Sequence, residues 1–138
     1  MTTASAPVLE IRDLSVSFPT ETGTVSAVDG VSLDLAPGEI VGMVGESGCG
    51  KSVTAMSIAG LLPGSARVTG SVRLDGTELV GARESALRRV RGREIAYIFQ
   101  EPMTSLNPVL TVGRQIGEVL QAHERMSAGR RGHAPSSC

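Results

Sequence analysis

Hydrophobic residues follow a period of two along the first part of the chain. Apolar and polar side chains alternate roughly over residues 8–18 and again over residues 25–35, and a proline- and glycine-bounded turn at 19–23 separates the two segments. Period-two alternation is typical of half-buried strands. We therefore predict one strand or two short strands over 8–18, and a further strand over 25–35. Residues 68–74 form another predicted strand, which ends at the turn Asp75-Gly76.

Two other runs are apolar throughout, residues 40–44 (IVGMV) and residues 95–99 (IAYIF). Short continuous apolar runs indicate strands that are buried on both faces, as in a parallel sheet. Helical spacing predicts helices over 51–62, 84–90 and 111–123, the first of which ends at Pro63-Gly64. Strands that alternate with helices imply an α/β fold, to which the early alternating strands add an antiparallel sheet.

The segment GESGCGKS at residues 45–52 matches the pattern G-x-x-x-x-G-K-[ST], and it follows an apolar run and precedes a predicted helix. We expect Gly45 to leave the strand in a conformation that a Cβ would disfavour, and Gly50 to let the backbone approach a phosphate. The loop N–H groups and the helix N-terminus favour an anion. Lys51 is expected to reach the β- and γ-phosphates, and the Ser52 hydroxyl to ligate Mg²⁺. The sequence therefore predicts a site for ATP with Mg²⁺.

Composition strengthens this prediction, because Lys51 is the only lysine beside twelve arginines. A compact ammonium fits a phosphate loop, whereas a planar guanidinium does not. Cys49 is either a small filler in the loop or a reactive thiol at a helix N-terminus. The residues expected to contact ATP in this segment are Gly45, Glu46, Ser47, Gly48, Cys49, Gly50, Lys51, Ser52 and Val53.

Three further features are candidates for function. Gln100 directly follows the second apolar run, at the strand end where ligands meet α/β sheets; it orients water or ligates Mg²⁺, or else simply closes a strand. Residues 101–108 (EPMTSLNP) form a proline-bounded loop whose Met and Leu suit a protein-docking surface. Phe18 either belongs to the core or stacks on a base.

Overall charge limits the classes of partner. The net charge of −1 argues against nucleic-acid binding. Residues 1–82 hold 4 basic and 9 acidic side chains, and residues 83–138 hold 9 basic and 5 acidic ones. The arginine run over residues 88–93 is interpreted as a solvated helix face. Two cysteines give no disulfide framework, which suits a reducing cytosol. Every apolar stretch is far shorter than the ~20 residues that span a bilayer, so a membrane role would be peripheral.

The run AVDGVSLDLAPGEIVGMVGESGCGKS, followed by YIFQEPMTSLNP, resembles the ATP-binding subunits of ABC importers in the oligopeptide, dipeptide and nickel branch. The resemblance covers roughly residues 8–123. It implies a P-loop NTPase core of RecA-like type with an antiparallel β subdomain, incomplete in this chain. It also implies ATP hydrolysis that drives transport, with Lys51 and Gln100 as the catalytic residues, Gln100 contacting Mg²⁺ and the attacking water, and Phe18 stacking on adenine.

The same resemblance implies partners. Residues 101–108 match the segment that faces the transmembrane permease subunits. A second ATP-binding subunit completes the ATP site, and an extracytoplasmic solute-binding protein takes part indirectly. The implied location is the cytoplasmic face of the plasma (inner) membrane, and the transported solute stays open.

The chain also departs from this family. It contains no LSGGQ-like signature, no apolar run ending in Asp-Glu as in Walker B, and no switch histidine in the family's context. We expect a disordered N-terminus over 1–6, the N-terminal portion of an ABC ATP-binding domain over 7–123, and a disordered non-family tail over 124–138 that arises from truncation or a frame change. Two alternatives stay open. One is a nucleotide-binding fragment without catalytic or transport activity, and the other is a different P-loop enzyme such as a kinase.

Overall fold

The computed structural model describes residues 6–101 and 105–124. The chain divides into two units, residues 1–88 and residues 89–138, and each is described by itself. The elements in chain order are β1 (Leu9–Thr20), β2 (Gly23–Leu35), α1 (Lys51–Ile58), β3 (Arg67–Leu74), β4 (Thr77–Glu78), α2 (Glu84–Val90) and α3 (Val112–Glu124). The four strands form one sheet in the order β2-β1-β3-β4, and every neighbouring pair is antiparallel. The predicted antiparallel sheet is therefore confirmed.

Strand β1 supplies the centre of this sheet and most of its core. Its partners are β2, with Leu9 opposite Leu35, and β3, with Leu9 opposite Leu74. The largest fully buried side chains are Ile11, Leu14 and Val16 of β1 and Val72 of β3. Burial of these aliphatic side chains is the main favourable contribution to this unit, at about 25 cal/mol for each Å² removed from water.

A bulge in β1 explains why the alternation of residues 8–18 is only approximate. The register shifts between Ile11 and Leu14, and Asp13 has a φ of 48°. On the facing strand, Gly70 has a φ of +95°, and a Cβ there would lie 2.5 Å from the Asp13 carbonyl oxygen. The Asp13 N–H donates to the Ser32 hydroxyl at 2.9 Å instead of to a ladder carbonyl. One strand, β1 (Leu9–Thr20), therefore covers almost all of residues 8–18, and an extra residue interrupts it.

The predicted strand over residues 40–44 is wrong. These residues form no strand, and Ile40 and Val44 are 95% and 94% exposed. A strand in the middle of a parallel sheet is stabilised by hydrogen bonds and side-chain packing from neighbours on both sides. In the part of the chain that the structure describes, no strand pairs with this run. The expected parallel core is accordingly not formed by the described residues.

Helix α1 begins at Lys51 as predicted but ends at Ile58, four residues before the predicted end. Gly60 has a φ of +63°, and its N–H donates to the Ser57 carbonyl at 3.1 Å. The Leu61 N–H donates to the Met56 carbonyl at 2.9 Å. This pair of bonds is a Schellman motif with glycine in the left-handed position. Gly60, and not Pro63-Gly64, therefore ends the helix.

In the second unit, the predicted strand over residues 95–99 is also wrong. Only Ile95 forms a bridge, with Arg91, and Ile98 is 90% exposed. As at residues 40–44, no neighbouring strand among the described residues pairs with this run. The predicted helices over 84–90 and 111–123 are confirmed as α2 and, one residue later at each end, α3. Thr111 caps α3, since its hydroxyl accepts a bond from the Arg114 N–H at 3.3 Å.

Candidate nucleotide-binding site

The loop over residues 45–50 connects the exposed run 40–44 to helix α1. Gly48 and Gly50 have φ angles of +82° and +88°, a region that L side chains rarely adopt. Gly50 is also the N-cap residue of α1. The Cys49 N–H donates to the Glu46 carbonyl at 3.3 Å, which closes a tight turn inside the loop. Glycine is thus required at two loop positions by backbone conformation.

Gly50 lies against the backbone of strand β2. A Cβ at this position would lie 2.3 Å from the Ala27 carbonyl oxygen and 3.3 Å from Cγ2 of Val28. Sequence analysis explained this glycine by its approach to a phosphate. The structure adds a second reason, namely that only glycine lets the loop pack on the sheet at the point where α1 begins.

Gly45 is required for a different reason from the predicted one. Its φ lies outside the left-handed region, so the expectation of an unusual backbone conformation is not met. A Cβ on Gly45 would instead lie 2.5 Å from the Cys49 sulfur. The side chain of Cys49 fills the space that a residue larger than glycine would occupy at position 45. This agrees with the expectation that Cys49 is a small filler.

The Lys51 ammonium lies within this loop. Nζ donates hydrogen bonds to the carbonyl oxygens of Gly45, at 2.7 Å, and Glu46, at 2.5 Å. It also lies 3.3 Å from the Cys49 sulfur. No acidic residue lies in the first turn of α1. The positive end of the helix dipole and the only lysine of the chain are therefore close together, an arrangement that favours an anion.

Helix α1 exposes the side chain of Ser52 and buries that of Thr54. The Ser52 side chain is exposed in the first turn, and Val53 is half-buried. Thr54 is buried, and its hydroxyl donates to the Gly50 carbonyl at 2.9 Å. Sequence analysis missed this contribution of Thr54, although a threonine four residues after the capping glycine is a signal for such a bond. The hydroxyl ties the helix to the loop that precedes it.

A cavity of about 500 Å³ lies beside the loop. One wall is formed by the β2 region that includes Val28, Val31 and Leu33, and the other includes Val44, Lys51 and Thr54. Its lining is largely apolar, and it includes one basic side chain, Lys51, and one acidic side chain, Asp29. Phe18 does not line this cavity.

Phe18 lies in β1 opposite Val25 of β2, and it is half-buried. It is thus part of the sheet near the β1–β2 turn. Stacking of its ring on a base stays a prediction.

Gln100 belongs to the second unit, where its side chain is exposed. With Phe99, Glu101 and Ser105 it lines a cavity of about 500 Å³. Residues 102–104 of the predicted docking loop lie outside the described residues. The roles of Gln100 in Mg²⁺ binding and in water positioning stay predictions.

The remainder of the docking loop is fixed to helix α3 by one side chain. The Gln115 carboxamide accepts a bond from the Asn107 N–H at 2.8 Å and donates to the carbonyls of Asn107 and Leu110, both at 3.0 Å. Leu106 of the loop is 51% exposed, and Val109, which directly follows the loop, is 87% exposed. The loop and the residue after it therefore display apolar side chains from a braced backbone.

Comparison with known proteins identifies the family. The family model described as ABC transporter matches residues 28–134, which include the phosphate loop and Gln100. The chain belongs to the ABC transporter family. This membership implies a P-loop NTPase domain and ATP binding, and it excludes the alternative of an unrelated P-loop kinase.

Individual relatives agree with the family match. The chain is 53% identical over 119 residues to the oligopeptide transport ATP-binding protein OppD of Mycobacterium tuberculosis, and 54% identical over 122 residues to the dipeptide transport ATP-binding protein DppD of Bacillus subtilis. It is 53% identical over 127 residues to the peptidoglycan transport ATP-binding protein YejF of Agrobacterium fabrum. These alignments cover 86%, 87% and 91% of this chain, but only 19%, 36% and 23% of the respective relatives. The chain thus spans between about a fifth and just over a third of the length of these three relatives.

Within residues 6–101 and 105–124, none of the helices combines the length and the hydrophobicity that a membrane-spanning segment requires. In the same part of the chain, no group of three or more His, Cys, Asp or Glu side chains is arranged to hold a metal ion.

Proposed function

We propose that this chain is the phosphate-binding portion of the ATP-binding subunit of a peptide ABC importer. The observation that carries the proposal is the loop at residues 45–50, which leads into α1 and keeps the Lys51 ammonium over its carbonyl groups. Relatives named for oligopeptide and dipeptide transport support the peptide branch. The alignments with them extend over most of this chain.

The residues of the loop fit the phosphates of ATP. Gly48 and Gly50 present backbone without a Cβ, and the start of α1 carries no carboxylate that would repel an anion. Lys51 would exchange its carbonyl contacts for the β- and γ-phosphate oxygens. Residues proposed to contact the nucleotide are Gly45, Glu46, Ser47, Gly48, Cys49, Gly50, Lys51, Ser52 and Val53, with Phe18 stacking on adenine.

The exposed Ser52 hydroxyl suits a ligand of Mg²⁺, a hard cation that prefers oxygen ligands. Gln100 would complete the shell through its carboxamide oxygen and orient water. When bound, Mg²⁺ would supply positive charge that offsets the negative charge of the phosphates during phosphoryl transfer. In the complete protein the domain would have a RecA-like core, and ATP hydrolysis would drive transport.

The partners would be transmembrane permease subunits, which contact residues 101–108, and a second ATP-binding subunit. An extracytoplasmic solute-binding protein would take part indirectly, and the protein would work at the cytoplasmic face of the membrane. Leu106, exposed on a backbone braced by Gln115, supports a docking role for this loop.

Titration of the purified chain with Mg-ATP tests the proposal. Lys51→Ala removes the ammonium, and a hydrogen bond to a charged group contributes about 1.5–3 kcal/mol, so affinity should fall roughly tenfold or more. Arg67→Ala, which removes a positive charge from an exposed position in β3, is the matched control and should bind like the wild type. Equal affinities of Lys51→Ala and the wild type would refute the site.

A further inference from the structure

Cys49 lies close to two other residues of the phosphate-loop segment, Gly45 and Lys51. Its sulfur lies 3.3 Å from the Lys51 Nζ, and it also lies 2.5 Å from the point where a Cβ on Gly45 would stand. The other two atoms nearest to that point are Cβ of Cys49 and Nζ of Lys51, both at 3.8 Å. Only the sulfur, therefore, is closer than ordinary van der Waals contact.

We propose that Cys49 is a positioning residue for Lys51, and that its thiol is the reason why residue 45 must be glycine. The other two glycines of the loop differ from Gly45 in this respect. Gly48 and Gly50 have positive φ angles, so alanine there is strained whatever the space around it. Gly45 has no such φ, and its need for glycine depends on one neighbouring sulfur atom.

An alanine at position 45 would displace this sulfur. The thiol would turn away from Lys51, or the loop would shift to make room for both groups. Either change moves a group that contacts the ammonium, because Nζ is held by the Gly45 and Glu46 carbonyls and by the Cys49 sulfur. Without the sulfur, the nearest atoms to a Cβ at position 45 are those at 3.8 Å, which is an ordinary contact distance. An alanine at position 45 therefore fits once residue 49 is also alanine.

The test measures Mg-ATP affinity for the full chain and six variants, and it rests on the proposed nucleotide binding. Gly45→Ala should weaken affinity about tenfold, an effect typical of overpacking at a tight site. Gly45→Ala/Cys49→Ala should return to within about threefold of Cys49→Ala, since the clash is gone. Gly42→Ala is the matched control, because a Cβ there meets nothing within 4 Å and its φ is not left-handed.

Gly48→Ala distinguishes a steric clash with the Cys49 sulfur from a general disruption of the loop. Cys49→Ala should not rescue Gly48→Ala, whose defect comes from backbone strain and not from the sulfur. A Gly45→Ala variant that binds as tightly as the wild type would overturn the proposal. So would a double variant that binds markedly more weakly than Cys49→Ala, or rescue of both glycine variants alike. Cys49→Ala alone should bind Mg-ATP more weakly than the wild type, because the ammonium loses its contact with the sulfur, and an unchanged affinity would overturn the positioning role.

Thermal unfolding of the same proteins gives a readout that is independent of ATP. Gly45→Ala should lower the unfolding midpoint, and Cys49→Ala should largely restore it, so that the two changes are not additive. If the wild type fails to bind Mg-ATP, the proposed function fails, while this coupling still decides whether the sulfur controls position 45. If Gly45→Ala and Cys49→Ala shift the unfolding midpoint additively, the proposed coupling is overturned, even if the chain binds ATP.

Discussion

Gly50 approaches strand β2 so closely that a Cβ on it would lie 2.3 Å from the carbonyl oxygen of Ala27. The same residue is the N-cap of α1 and has a φ of +88°. One glycine thus joins the antiparallel sheet to the start of the helix whose first residue is Lys51. The position of the proposed phosphate site relative to the sheet depends on this contact.

Gly50→Ala should destabilise the first unit as well as abolish nucleotide binding. The substitution adds both a clash with backbone, which cannot move as easily as a side chain, and a strained φ. Each effect costs about 1–3 kcal/mol, so we expect the free energy of unfolding to fall by about 2 kcal/mol or more. Urea denaturation followed by circular dichroism measures this change.

Gly64→Ala is the matched control, since a Cβ there meets nothing within 4 Å and no left-handed φ is involved. It should unfold close to the wild-type midpoint. If Gly50→Ala and Gly64→Ala unfold alike, the contact with Ala27 does not fix the loop.

Glu78 provides a pH-dependent contribution to the β3–β4 hairpin. Its carboxylate accepts hydrogen bonds from the Ser71 hydroxyl at 2.5 Å and from the N–H groups of Val72 at 2.9 Å and Val80 at 3.0 Å. Partial burial acts to raise the pKa of Glu78, but these bonds and the charge of Arg73 outweigh it, so the pKa is lowered. The folded state therefore favours the ionised carboxylate.

The sign of the pH effect follows from this lowered pKa. The stabilisation is fully present above the pKa of an unfolded glutamate, about 4.3, and it is lost as the pH falls through the lower folded value. Glu78→Gln should therefore lower the unfolding midpoint most at neutral pH, and the difference from the wild type should shrink towards pH 3. Glu21→Gln, in the exposed β1–β2 turn, is the control. A difference that does not vary with pH would contradict the role of the charge.

Strands β1 and β3 and helices α2 and α3 were predictable from the sequence because their signals are local. Alternation over 8–18 and helical spacing over 84–90 depend on neighbours within a few residues. The bulge at Asp13 was not predictable, since it requires Gly70 on the facing strand to leave room for the Asp13 carbonyl. The apolar runs 40–44 and 95–99 predicted buried strands, and both predictions were wrong. Burial of such a run depends on partner strands that are distant in the sequence.

The candidate site shows the same division between local and non-local information. The spacing of GESGCGKS predicts the phosphate loop and its helix, and the structure places Lys51 in that loop. Contacts between Cys49 and Gly45 and between Gly50 and Ala27 depend on the folded path of the loop. Sequence patterns therefore predict the loop, whereas the need for glycine at two of its positions follows only from the fold.

Bound Mg-ATP should protect Cys49 from maleimide. The Cys49 side chain is exposed, and its sulfur lies beside the ammonium that is proposed to bind phosphate. Labelling followed by mass spectrometry, with and without Mg-ATP, measures the protection, and Cys138 serves as an internal reference. Protection should disappear in Lys51→Ala. Identical labelling of Cys49 in both conditions would argue against phosphate binding at this loop.

The 138-residue chain should bind Mg-ATP without measurable hydrolysis. Phosphoryl transfer requires the metal and an in-line water to be held by several groups, and loss of one stabilising donor commonly lowers rates about 10²–10³-fold. This sequence has no apolar run ending in Asp-Glu to supply the Walker B carboxylates and no LSGGQ-like signature. Phosphate release should be measured at an ATP concentration that saturates binding, so that weak affinity cannot explain inactivity. A full-length peptide-transport ATP-binding subunit is the positive control and Lys51→Ala the background. Release by the wild type above that background would mean that this chain carries catalytic groups which the family resemblance does not identify.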